Sequence, residues 1–143
     1  MPSLKKIMVV DDEAGIRNLL FDVLTKEGFK VTLAKDGQDS LTQMRNRRFD
    51  LVITDLNMPR LDGVGLLRKM KKAGRKERLI IMSGETSDHS YLNKEIPNLC
   101  ARLKKPFHVN HFLETVYLAL ARERKKRRTA GSGRRETRAL DAV

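Results

Sequence analysis

Five short apolar segments alternate with five segments whose apolar residues fall at helical spacing. This alternation predicts an α/β fold built on a doubly wound parallel sheet. Two further observations support it. The strand-like segments are apolar along their whole length rather than at every second residue, as expected when helices cover both faces of a sheet. The chain has 143 residues, enough for one domain with its own core.

The first strand is residues 5–10, KKIMVV. Over residues 14–27, Ile16, Leu19, Leu20, Val23 and Leu24 form the apolar stripe of a helix. Gly28 follows as a C-terminal stop. Residues 30–34, KVTLA, are rich in β-formers, and residues 36–48 read as a helix with Leu41 and Met44 on one side. LVIT (51–54) is the third strand, and residues 63–73 form a helix with Val64, Leu67 and Met70 inward. LIIMS (79–83) is the fourth strand, and a weak helix over 88–95 leads to Pro97. LCARL (99–103) is the fifth strand. The last helix begins at His108, with Phe112, Val116, Tyr117 and Leu120 as its stripe, and runs on through a frayed, polar segment to residue 128.

The formal net charge is +12, and residues 122–143 hold nine Lys/Arg against three Asp/Glu. We read residues 1–121 as one domain and 122–143 as a basic helical extension followed by a disordered tail, broken at TAGSG. Such charge fits either a solvated surface or an anionic partner, nucleic acid or an anionic membrane surface. The tail has no aromatic residue for base stacking, so any such contact would be weak and salt-dependent. No apolar run reaches the length of a membrane span. The N-terminal IMVV is too short for a signal peptide, so a cytoplasmic location is expected. One cysteine, Cys100, excludes an internal disulfide framework and reads as a small core residue. His89, His108 and His111 lack the cysteine or acid partners of a metal site.

In an open parallel sheet, sites form at the carboxyl ends of the strands. The first strand ends at Asp11, Asp12 and Glu13, the third at Asp55, the fourth at Ser83 and the fifth at Lys104, Lys105 and Pro106. Each has an ordinary reading alone: a helix cap for DDE, a turn for Asp55 or Ser83, a solvated loop for Lys105. Their coincidence on one edge points elsewhere. Clustered carboxylates repel unless a cation lies among them, and hard oxygen donors without histidine or thiolate suit Mg²⁺. With an ammonium and a hydroxyl beside them, they form the equipment of phosphoryl transfer, with Asp55 as nucleophile.

VVDDE, DLVITDLNMPRLDG, IIMSGE and LKKPF together resemble the receiver domain of two-component response regulators over residues 4–121. The resemblance implies a flavodoxin-like (βα)5 fold with strand order 2-1-3-4-5. It implies phosphorylation on Asp55, Mg²⁺ held by Asp12, Asp55 and the Asn57 carbonyl with Asp11 acting through water, and Lys105 and Ser83 on the phosphoryl group. It implies a phosphodonor histidine on a sensor kinase or a phosphotransfer protein, and no enzyme activity beyond the chain's own phosphorylation and dephosphorylation. Asn57 and Glu85 occupy the two positions that tune phosphoryl lifetime in the family, with the residues found in chemotaxis regulators, so fairly fast dephosphorylation is expected. Arg102 stands where the family usually has a Tyr or Phe switch, which points to an interaction surface instead. No output domain follows residue 121, so a stand-alone receiver is expected, one that binds a downstream protein or relays phosphate. Two alternatives differ. An aspartate-based phosphohydrolase needs a second acid two residues after the nucleophile, and Asn57 cannot deliver a proton. An anion-binding protein would act through the tail.

Overall fold

The computed structural model describes residues 4–84 and 89–122. Glu85, the start of the predicted weak helix and the tail from 123 onward lie outside the described residues. The chain alternates strictly through five strands and five helices: β1 (Lys6–Val10), α1 (Ala14–Lys26), β2 (Lys30–Ala34), α2 (Gly37–Met44), β3 (Leu51–Asp55), α3 (Gly63–Lys72), β4 (Arg78–Ser83), α4 (Leu92–Glu95), β5 (Leu99–Lys104) and α5 (Val109–Ala121). All strand pairs are parallel, in the order β2-β1-β3-β4-β5. This is the flavodoxin-like order that the resemblance implies.

The continuous apolar character of the strands is explained by two cores, one on each face. Successive side chains point to opposite faces. Met8, Val10, Val52 and Ile81 therefore pack with Leu66, Leu67, Met70 and Leu92 on one side. Ile7, Val9, Leu51, Ile53, Ile80 and Met82 pack with Leu20, Leu24, Phe112 and Val116 on the other. β3 lies at the centre and all five of its residues are buried, Asp55 included.

Several predicted elements are trimmed. The second helix spans Gly37–Met44 rather than 36–48. Asp36 is its N-cap, with Oδ1 accepting from the Asp39 N–H at 2.7 Å. At its other end Arg45 is extended and Asn46 has φ 58°, which stops the helix before the arginines. The weak helix reduces to one turn, Leu92–Glu95, and α5 ends at Ala121 with Arg122 extended. Continuation through 123–128 falls outside the described residues. Two expected inward residues face solvent: Leu19 is 47% and Tyr117 46% exposed. Leu20 and Leu24 already fill the buried side of α1, and Leu19 lies a quarter turn away. Tyr117 lays its ring against Phe29 and its hydroxyl donates to Glu27. Leu66, absent from the expected stripe, is fully buried.

Candidate functional site

The parallel register brings the carboxyl ends of β1, β3, β4 and β5 to one edge. Asp11 follows β1 directly, and its N–H donates to Ala34 O at 3.1 Å, so the residue remains tied to β2. Its side chain is fully buried. Oδ1 accepts from the Glu13 N–H at 2.9 Å, and Oδ2 meets Lys105 Nζ at 2.9 Å. Asp55 closes β3, and its Oδ1 accepts from the Asn57 N–H at 3.3 Å while Oδ2 lies 3.2 Å from Lys105 Nζ. Lys105 also reaches Glu13 Oε1 at 3.4 Å. Its backbone N–H donates to Ser83 O at 2.8 Å, which links the ends of β4 and β5. Ser83 is half-buried beside them, Asp12 and Asn57 are exposed, and Lys105 precedes a cis peptide bond to Pro106.

Carboxylate oxygens of Asp11, Asp12 and Asp55 all lie within 4.8 Å of one another. One ammonium therefore faces three close carboxylates and Glu13, which leaves excess negative charge in a partly desolvated place. Burial is the largest influence on Asp55 and pushes its carboxyl pKa up; the neighbouring Asp11 charge adds to this, while the Asn57 N–H and Lys105 oppose it. For Lys105, burial alone would lower the pKa, but the hydrogen bond and charge of Asp11, followed by Asp55, carry it above its ordinary value. The ammonium is thus held charged by the same acids it screens. A site with all-oxygen donors and uncompensated negative charge fits a divalent cation.

The chain after β3 is pressed against the site. Leu56 N–H donates to Met82 O at 2.9 Å and Gly63 N–H to Leu56 O at 3.0 Å. A Cβ on Gly63 would lie 2.4 Å from Asp55 O. Only glycine lets α3 begin so close to this strand end.

All the site residues expected from the sequence, Asp11, Asp12, Asp55, Asn57, Ser83 and Lys105, meet at this edge. Two contributors were not foreseen. Glu13 touches Lys105, a role that DDE alone leaves open. Arg17 Nη1 donates to Asp11 O at 2.8 Å, holding the acidic loop from the first turn of α1; only its spacing from Glu13 hints at this. Arg102 is exposed on β5, opposite Ile81 in the register. No helix among the described residues is long and apolar enough to cross a membrane.

Comparison with known proteins agrees with the geometry. The sequence model of the response regulator receiver domain matches residues 7–117. The chain is 38% identical over 120 residues to sporulation initiation phosphotransferase F of Bacillus subtilis, covering 81% of this chain and 95% of that protein. It is 31% identical over 121 residues to the response regulator MprA of a Mycobacterium species, but spans only 51% of that longer protein. Among solved structures, chemotaxis protein CheY4 of Vibrio cholerae superposes with a TM-score of 0.74 at 26% identity, over 82% of this chain and 99% of that one. A CheY-like receiver domain from Methanospirillum hungatei gives 0.75 at 28%, over 82% and 94%. TrrA of Thermotoga maritima, solved with Mg²⁺-BeF, gives 0.72 at 28%, over 81% and 99%. Receiver domains are signalling modules that take phosphoryl groups from histidine kinases or phosphotransfer proteins, and the pocket of Asp11, Asp12 and Asp55 is typical of their phosphoacceptor site. A buried aspartate at the end of the central strand, flanked by two more acids and a lysine, thus sits within a matching fold and a matching sequence: the chain belongs to the response regulator receiver domain family.

Proposed function

We propose that Asp55 is the phosphoacceptor and that residues 1–121 form the receiver, with 122–143 a basic extension. The convergence of Asp11 and Asp55 within hydrogen-bonding reach of the Lys105 ammonium carries this reading. Burial fixes the Asp55 carboxylate against β3, and the Asn57 N–H orients Oδ1. In the transfer, an Asp55 oxygen bonds to phosphorus as the donor histidine's N–P bond breaks, and the leaving nitrogen keeps the electron pair. Lys105 then exchanges part of its contact with Asp55 for a phosphoryl oxygen, and Ser83 brings a hydroxyl to another.

Asp11, Asp12 and Asp55, with the Asn57 backbone carbonyl, would hold Mg²⁺. Bound there, Mg²⁺ neutralises charge on the transferring group and helps to align it. The all-oxygen donor set supports this identity, as does the Mg²⁺-BeF bound by TrrA. The resemblance to a sporulation phosphotransferase supports signalling by phosphate relay or by binding a partner, which we place in the cytoplasm. Asn57 stands exposed beside the site, in keeping with water access and a short phosphoryl lifetime. Arg102 would belong to the partner-binding surface, so Arg102→Ala alters partner affinity more than phosphorylation.

A labelled small-molecule phosphodonor tests this reading with and without Mg²⁺. Incorporation with Mg²⁺ that is lost on chelation is expected, and Asp12→Asn should require more Mg²⁺ for the same labelling. Equal labelling in the presence of a chelator would overturn the metal assignment.

A further inference from the structure

The sheet edge opposite the acidic site has the opposite charge. At the amino ends of the strands, Lys6 of β1 stands directly beside Lys30 of β2. The connection into β3 adds exposed Arg45 and Arg48, and the end of α3 and the connection into β4 add exposed Lys72 and Lys76. Those last four make no ion pair among the described residues. The acids at this edge are engaged within the fold: Asp50 accepts from the Lys6 N–H, Glu27 from the Tyr117 hydroxyl, and Glu77 is buried. The positive charge is thus left facing outward.

This edge is also held in place. Glu77 Oε2 accepts from the Phe49 N–H at 3.1 Å, and Glu77 Oε1 accepts from Arg75 Nε at 3.1 Å. The Arg75 guanidinium in turn donates to Met44 O at 3.2 Å and Arg47 O at 2.6 Å. One ion pair therefore fastens the connection carrying Arg45 and Arg48 to the one carrying Lys72 and Lys76. Arg122 is held at the same edge: Arg78 Nε donates to Arg122 O at 2.8 Å.

We propose that this amino-terminal edge binds the phosphodiester backbone of nucleic acid. Exposed cations carried on fastened connections suit a repeating phosphate charge. Among the described residues none of the large exposed apolar side chains lies in the two connections, and at the start of β1 only Leu4 is exposed, so the edge offers a bilayer one leucine and no aromatic anchor. The surface uses none of the phosphoacceptor residues, so the proposal stands apart from the phosphotransfer reading.

The test is anisotropy binding of the full chain to labelled duplex DNA and single-stranded RNA of mixed sequence, across a salt series of about 50 to 200 mM. Wild type is compared with a chain carrying Arg45→Gln, Arg48→Gln, Lys72→Gln and Lys76→Gln. The wild type should bind at least one of the two, with affinity falling as salt rises. The variant should lose about tenfold or more in affinity, and its log–log salt slope should shrink by about 3 to 4, at ~0.9 per lost phosphate contact. Phosphodonor labelling of the variant should match wild type, showing that it folds. If it does not fold, the two paired variants, Arg45→Gln/Arg48→Gln and Lys72→Gln/Lys76→Gln, should each lower the slope by about 2. No binding by wild type, an unchanged slope in the folded variants, or tighter binding to phosphatidylserine vesicles than to either nucleic acid would overturn the proposal.

Discussion

Gly63 shows how closely the phosphoacceptor strand is enclosed. An added Cβ would lie 2.4 Å from Asp55 O and 2.7 Å from Leu56 Cα, backbone atoms that cannot turn aside. Gly63→Ala should therefore lower stability by about 2 kcal/mol, as overpacking does, read as a reduced urea midpoint; an unchanged midpoint would contradict the close approach. Asp55 carries a second residue-level consequence. Its pKa is raised, chiefly by burial and then by Asp11, so the folded chain keeps a proton that the unfolded chain has already lost. Stability arising from this group is greatest below the ordinary value of 3.8 and declines as pH rises through the raised value. Asp55→Asn removes that decline. In the absence of divalent cations, the mutant's melting temperature should gain on wild type as pH rises through the acid range and stay above it at neutral pH; a gap that does not widen would refute the assignment. Residue types and spacing made Asp11, Asp12, Asp55, Ser83 and Lys105 legible in the sequence. The Glu13 and Arg17 contacts were not, because they depend on where the first turn of α1 points its side chains.

At the level of elements, the strands were the most legible part. Their unbroken apolar runs have one physical explanation, burial on both faces, and the two cores on opposite sides of the sheet supply it. Helix ends were less legible. Helix α2 stops at Met44 because Arg45 is extended and Asn46 adopts a positive φ, a tertiary outcome that helical periodicity does not encode. Its start depends on Asp36, which is 3% exposed, caps Asp39 and pairs with Arg60 at 3.4 Å. Asp36→Ala should cost about 1 to 2 kcal/mol, measured by denaturant unfolding, and a loss within error of zero would exclude the cap. The Arg75–Glu77 pair, two residues apart in sequence, gave no signal at all, since its worth lies in the carbonyls of Met44 and Arg47 that Arg75 reaches. Arg75→Met leaves Glu77 buried with only the Phe49 N–H, and should destabilise by about 3 kcal/mol. A much smaller loss on calorimetric unfolding would show that the pair does not join the two connections.

The molecule as a whole is polarised. A parallel sheet sends every strand the same way, so one edge collects the residues that leave the strands and the other collects those that enter them. Here the first edge gathers Asp11, Asp12, Glu13 and Asp55 around Lys105, while the second gathers the lysines and arginines that enter β1 to β4. The net charge of +12 did not reveal this division, because summing over the chain hides the separation that topology creates. Placing the acids at the far end from the basic edge leaves Asp11, Asp12 and Asp55 clustered where they could hold a divalent cation. If this pocket serves to phosphorylate Asp55, phosphate mapping will find the label there. Wild type and Asp55→Asn are incubated with Mg²⁺ and a labelled phosphodonor, and the labelled peptide is identified. Label is expected on the segment containing Asp55 in wild type and none on the mutant; label retained by Asp55→Asn would contradict Asp55 as the phosphoacceptor.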